Sequence, residues 1–221
     1  MKFMSQRNKK IVVGLIFGGK SPEHEVSIMS AKGIIENIDQ EEFSVVEIGI
    51  DKQGAFWTVE NFLSQISQGA VDKDIMKKVG AKPFDFFVDA NNIDVFFPIL
   101  HGAGGEDGEI QGLIRSAGKK FVGADILASA ICLDKGILKL LLKAKNIPQT
   151  KFEILDFNKM SPKVVNEQLS SVKDAFRFPA FVKPCNLGSS VGIVKVKDAG
   201  QLDVAIETVK KFDSRIVIEE S

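Results

Sequence analysis

The stretch GLIFGGKS, residues 14–21, spells a phosphate loop: a glycine, four residues, then Gly-Lys-Ser. In a phosphate loop the first glycine ends a strand, and the next N–H groups curl around phosphate. Here Leu15, Ile16 and Phe17 continue an unbroken apolar run, residues 11–17. That pattern belongs to a strand covered on both faces. Gly14 then falls inside the strand, and Pro22 removes one N–H from a helix start expected at Ser21-Pro22-Glu23, with Ser21 as N-cap. The segment AICLD, residues 130–134, imitates the acidic partner motif of such NTPases but runs straight into a helical pattern. A P-loop NTPase remains the alternative.

Outward from this strand, Val26, Met29, Gly33, Ile34 and Ile38 keep helical spacing, and residues 43–50 read as the next strand. DKQGAFWTV is a turn with a short extended piece. Residues 62–79 read as a helix, and residues 94–100, DVFFPIL, as a strand whose Pro98 favours its end. HGAGGEDGEIQ turns into a helix through Ala117, and KKFVGAD is extended. This alternation predicts an α/β, doubly wound parallel-sheet domain over residues 1–123.

Residues 124–221 form a second unit of α+β type. A helix over residues 134–144 stops at Asn146-Ile147-Pro148, and residues 151–155 are extended. Ser161-Pro162 opens a helix to about Ala175. FPAFVKP and VGIVKVK are strands around the loop CNLGSS. Residues 199–212 are helical, and RIVIEE is a closing strand.

Composition narrows the function. The 221 residues are 44% hydrophobic and 26% charged, with zero net charge, so no basic field draws in nucleic acid or membrane. No apolar run approaches the ~18 residues of a bilayer span. Lys2, Arg7, Lys9 and Lys10 before the first apolar run imitate a secretion signal, but the run is short and lacks a small-residue cleavage pattern. Cys132 and Cys185 have neither disulfide nor metal-ligand spacing and suit a reducing, cytoplasmic setting.

A second candidate phosphate site lies late in the chain. Lys183 ends the strand FPAFVK, and CNLGSSVG follows. Gly188 and Gly192 free the backbone, while Ser189 and Ser190 add hydroxyls. Such a hairpin can present N–H groups to a triphosphate while Lys183 supplies a point charge. An ordinary hairpin with a surface lysine fits the same letters.

FVKPCNLGSSVGIVKV resembles the nucleotide-clamping hairpin of ATP-grasp ligases. GGKSPEHEVSIMSA, HGAGGEDGEIQGLI and LDKGILKLLLKAKNIP are similar to the D-alanine–D-alanine ligase family, in the family's order. The resemblance implies a pre-ATP-grasp N-terminal domain followed by an ATP-grasp central subdomain. It implies that ATP phosphorylates the carboxylate of one D-alanine and that the amine of a second attacks the acyl phosphate.

Residue by residue, the resemblance makes Glu23 the acid that holds the first ammonium, and His101 the histidine near the substrate carboxylate. Lys135 and Lys183 become the ATP-phosphate lysines. Ser189 becomes the clamp serine reaching toward a substrate-side glutamate, and Ser190 its neighbour over the phosphates, with Gly188 and Val191 in the same loop. Glu219 is the acid at the adenine amino group and Glu220 a backbone contact there. Three of them have a plainer reading as well: Glu23 as a helix-capping acid, His101 as a loop histidine, Lys135 as a helix-surface residue. His24 is not expected to be catalytic, and Glu106 and Asp107 read as acids at a helix start rather than metal ligands.

The resemblance also implies a homodimer through the first domain. It places Mg2+ (or Mn2+) on a third domain that follows the sequence's last residues, IVIEES. This chain is therefore expected to be a fragment without metal ligands, inactive alone; a non-catalytic remnant is the competing expectation. Whether the second substrate is D-alanine, D-lactate or D-serine stays open.

Overall fold

The computed structural model describes residues 9–66 and 71–221, which divide into two compact units, Met1–Ile126 and Leu127–Ser221. Lys2 and Arg7 lie outside the described residues.

The first unit is built on β1 (Ile11–Gly18), which runs parallel to β2 (Phe43–Ile50) along all eight positions. Helix α1 (His24–Asn37) connects them. β3 (Phe56–Thr58) turns back antiparallel on β2. The helix expected over residues 62–79 is not continuous among the described residues. It is α2 (Phe62–Gln65) and α3 (Lys73–Lys78), with residues 67–70 outside the description. Asp72 caps α3 by accepting the Asp74 N–H, a local bond that starts a new helix rather than continuing an old one.

β4 (Lys82–Pro83), β5 (Val95–Pro98), α4 (Glu109–Ser116) and β6 (Lys120–Phe121) complete the unit. The sheet order is β4-β3-β2-β1-β5-β6, with β2, β1, β5 and β6 parallel and the β3–β4 hairpin antiparallel at one edge. Alternation along β1 feeds two cores. Ile16 packs with Phe84, Phe86 and Phe96 on one face, and Leu15 and Phe17 with Ile28, Phe62 and Met76 on the other.

Gly14 sits mid-strand, opposite Val46 on β2 and Phe96 on β5. The phosphate-loop spelling is therefore a strand and its exit turn. That turn is Gly18-Gly19, at φ 91° and 97°; a Cβ on Gly18 would lie 2.3 Å from the Ile50 carbonyl oxygen. Ser21 is not the N-cap. Its hydroxyl accepts the Glu23 N–H at 3.1 Å, closing a local turn, and the helix begins three residues later with Glu23 in the cap position.

The division between the units falls after the first residue of α5 (Ile126–Leu133), a helix with no counterpart in the sequence reading. ILASAICL is apolar almost all round, so it shows no stripe to read. It also places most of AICLD in a helix. α6 (Lys135–Ala144) follows, with Asp134 as N-cap. β7 (Phe152–Asp156), α7 (Pro162–Ala175, capped by Ser161), β8 (Ala180–Pro184), β9 (Val194–Val196), α8 (Leu202–Val209) and β10 (Arg215–Glu220) complete it. The helix expected over residues 199–212 is shorter: its first turn is a separate 3-10 segment, Ala199–Gln201, capped by Asp198. The sheet is antiparallel in the order β7-β10-β8-β9. Ile216, Ile218, Val182 and Leu155 pack on α7 and α8 through Val165, Val172, Leu202 and Ile206.

Gly14→Ala tests the strand. Its methyl would lie 2.8 Å from Phe96 Cδ1, so urea unfolding should show a loss of about 1–3 kcal/mol from overpacking. An unchanged midpoint would place Gly14 outside a packed strand.

Candidate functional site

Where β1 and β5 diverge in their connections, the first unit opens a cavity of about 530 Å³, lined among others by Gly19, Ser21, Pro22, His101, Gly104 and Asp107. This is the switch point of the sheet, beyond the C-terminal strand ends, where open α/β sheets take ligands. Helix α1 does not line it but ties down the strand ends beside it. Ser27 accepts the Gly18 N–H at 2.9 Å and donates to the Ile99 carbonyl at 2.6 Å. His24 is fully buried; its Nδ1 donates to the Gly19 carbonyl at 2.6 Å, and its Nε2 accepts the Val71 N–H at 2.9 Å. Both ring nitrogens are thus occupied by backbone, which makes His24 a structural residue.

His101 lines the cavity, its Nε2 3.1 Å from Ser30 Oγ. Glu23 does not line it. Its carboxylate lies over Gly102, where a Cβ would come within 2.8 Å of Glu23 Oε2. The two expected substrate residues are therefore neighbours across Gly102. Glu106 and Asp107 shape the loop: Glu106 accepts the Gly102 N–H at 2.8 Å, and Asp107 accepts those of Gly104 (2.6 Å) and Glu109 (3.0 Å).

In the second unit the loop between β8 and β9 is held at both ends. Asp213 accepts the Asn186 backbone and side-chain N–H groups at 3.0 and 3.1 Å, and Gly192 lies flush against Phe212. At the tip, Ser189 and Ser190 both have left-handed backbone, φ 48° and 61°. The Gly188 carbonyl accepts the Val191 N–H across them at 3.1 Å. Paired positive φ values with this bond form a tight primed turn. Two non-glycine residues in that region cost of order 1–3 kcal/mol each, strain of the kind that gathers at ligand sites.

Beneath the loop, Lys135 donates its ammonium to the Leu187 carbonyl. Burial pulls the Lys135 ammonium below its ordinary range, and the Lys183 charge adds to that. Lys135 is placed by its helix end: Asp134 accepts the Ile137 N–H at 2.9 Å and pairs with Arg215, and the Lys135 N–H reaches the Cys185 carbonyl at 3.0 Å. Burial pushes the Cys185 thiol up to about 11, which suits packing rather than reactivity.

Glu219 lies opposite Phe181 on β8 and Phe152 on β7, on the same side of the sheet as Lys183. Both of its oxygens are engaged, Oε1 by Lys183 and Oε2 by Lys139 at 2.6 Å. Lys139 was missed in the sequence, although it follows Lys135 by one helical turn and so shares its face. Glu220 spends its N–H on the Lys151 carbonyl (3.0 Å), and its carboxylate accepts the Arg177 N–H (2.9 Å). Lys135, Lys183, Glu219 and the Gly188–Val191 turn thus gather in one unit, and Glu23 and His101 in the other.

The family described as D-ala D-ala ligase N-terminus matches residues 12–124, and D-ala D-ala ligase C-terminus matches residues 141–221. The chain belongs to the D-alanine–D-alanine ligase family. It is 40% identical over 220 residues to the D-alanine–D-alanine ligase of Caldicellulosiruptor bescii, covering 96% of this chain and 60% of that protein. With D-alanine–D-alanine ligase A of Escherichia coli K12 the identity is 39%, over 96% and 61%. Among solved structures, the VanG D-Ala:D-Ser ligase of Enterococcus faecalis aligns with TM-score 0.82 at 30% identity, over 96% and 63% of the two chains. The Coxiella burnetii D-alanine–D-alanine ligase aligns with TM-score 0.80 at 31%, over 96% and 62%. The chain thus spans about 60% of the length of the curated ligases it matches.

The ion cluster carries a pH prediction. Burial raises the Glu219 carboxyl, but Lys139 and Lys183 outweigh it and hold it below its ordinary 4.5. The pairing is therefore at full strength above pH 4.5 and is lost as pH falls through the lowered value. Glu219→Gln should be less stable by about 1–3 kcal/mol at pH 7 in denaturant unfolding. The gap should close as pH drops below 4.5. A gap that stays constant with pH would remove the ion pairs as its cause.

Proposed function

We propose that this chain supplies the first substrate site and one wall of the nucleotide site of a D-alanine–D-alanine ligase serving peptidoglycan precursor synthesis. The observation that carries the reading is the convergence of Lys135 and Lys183 beneath a left-handed two-serine turn, cations and backbone dipoles suited to an anion. In the reaction a D-alanine carboxylate oxygen attacks the γ-phosphorus of ATP and ADP leaves. The amine of a second D-alanine then attacks the acyl carbon, and phosphate leaves. Phosphoryl transfer of this kind rests on positioning and charge neutralisation.

Lys135 and Lys183 hold phosphate oxygens, and the Gly188-Ser189-Ser190-Val191 turn closes over them. That closure exchanges the Gly188–Val191 bond for a phosphate contact. Glu219 and Glu220 border the adenine, with Glu219 first of all the anchor of Lys183. Glu23 holds the first D-alanine's ammonium through a charge-assisted hydrogen bond, and His101 faces its carboxylate. Mg2+ (or Mn2+) would neutralise phosphate charge. Among the described residues no group of three or more His, Cys, Asp or Glu gathers to hold a metal, so no step assigned to these side chains runs through it.

In this reading residues 1–123 are the substrate-side domain and 124–221 the ATP-grasp central subdomain. The first unit carries a homodimer contact. The partners are D-alanine and ATP rather than nucleic acid or membrane, and the location is cytoplasmic. No helix among the described residues is long and apolar enough to cross a membrane. Among solved structures the D-Ala:D-Ser ligase at 30% and a D-alanine–D-alanine ligase at 31% identity stand level, so the reading does not choose between D-alanine, D-lactate and D-serine as second substrate.

Lys20 and Lys183 discriminate between phosphate sites. The Lys20 stem packs on Gly54 in the β2–β3 turn. By calorimetric titration with ATP, Lys183→Ala should weaken binding by about tenfold or more, ~1.4 kcal/mol, while Lys20→Ala leaves it unchanged. The opposite pattern would move the phosphate site to the first strand and overturn the proposal.

A further inference from the structure

Glu219 stands between two lysines, and the nucleotide reading gives a task to only one of them. Lys139 and Lys183 are held differently. The Lys139 ammonium lies 2.6 Å from Glu219 Oε2, reaches Thr150 Oγ1 at 3.3 Å, and sits 5.1 Å over the Phe152 ring. Its side chain is 14% exposed. Lys183 is 21% exposed, sits near the end of β8 where the Gly/Ser loop departs, and has Glu219 Oε1 and the Phe181 ring as its neighbours. Each ammonium has one Glu219 oxygen and one aromatic ring, but Lys139 adds the Thr150 hydroxyl and is the less exposed, which leaves Lys183 the more detachable partner.

A phosphate arriving under the loop draws Lys183 toward itself. Without Lys139, Glu219, itself only 14% exposed, would then be left as an unpaired and nearly buried carboxylate, which is strongly disfavoured. We propose that Lys139 is a positioning residue: the second counter-ion of Glu219, which keeps that carboxylate compensated so that Lys183 can leave it for a phosphate group. The inference deepens the nucleotide reading and rests on it for the identity of the phosphate.

The test is competitive acylation of lysines in the folded 221-residue chain, read by mass spectrometry, with and without ATP. Acylation needs the neutral amine, so tighter pairing shows as a slower rate. In Lys139→Met, Glu219 has only Lys183 left, and Lys183 should acylate more slowly by about threefold, the scale of a modest ion-pair change. Lys139→Arg, which keeps the charge, should restore the parent rate. Adding Glu219→Gln to Lys139→Met should bring Lys183 to the parent rate or above. ATP affinity should fall in Lys139→Met and recover in Lys139→Arg.

A purely packing role for Lys139 would not move the Lys183 rate. An unchanged Lys183 rate in a natively folded Lys139→Met chain, judged by circular dichroism, overturns the proposal. Lys139→Gln serves the same comparison if the methionine variant does not fold. If ATP fails to protect Lys183 in the parent chain, the nucleotide reading falls, while the acylation comparison still decides the role of Lys139.

Discussion

Parallel strands that stop at one edge leave backbone groups with no strand to pair with, and buried ones must find other partners. In the first unit a single polar stripe on α1 satisfies them. His24 takes the Gly19 carbonyl, Ser27 bridges the Gly18 N–H and the Ile99 carbonyl, and Ser30 meets His101. These residues recur every three positions, so one helix face closes the ends of β1 and β5 together. That closure fixes the two strand ends from which the cavity-lining residues 18–22 and the loop after β5 depart. Glu23, on the turn just before the same face, is carried to Gly102 by it.

The second unit solves a comparable problem with charge. The start of α6 is tied to β10 by Asp134 and Arg215. The Arg215 N–H is in turn held by Asp213 at 2.9 Å, and Asp213 grips Asn186 at the base of the loop. Half-buried charges are tolerable only when paired, and this chain of pairs fixes the helix that carries Lys135 and Lys139 against the strand that carries Lys183. The loop above is strained at Ser189 and Ser190 but anchored on both sides, which limits its freedom to the tip.

Much of this was legible in the letters. The unbroken apolar run around Gly14 reads correctly as a strand because a phosphate loop needs a turn where Leu15, Ile16 and Phe17 stand. The Ser161-Pro162 helix start and the hairpin around CNLGSS also read correctly, since capping and turn chemistry are local. The discontinuity within residues 62–79 escaped because its apolar spacing continues past the Asp72 cap. Helix α5 escaped because an all-round apolar segment has no period.

The sequence by itself determined the family and most of the order of strands and helices, and it offered the lysines and acids proposed for the sites apart from Lys139, because motif spelling and periodicity depend on near neighbours along the chain. Only the tertiary structure decided that Ser21 closes a turn rather than capping α1, that His24 is spent on backbone, and that Glu219 is shared between Lys139 and Lys183. Glu219 lies far along the chain from both lysines, and no local pattern records which distant charges a folded sheet and helix will bring into contact.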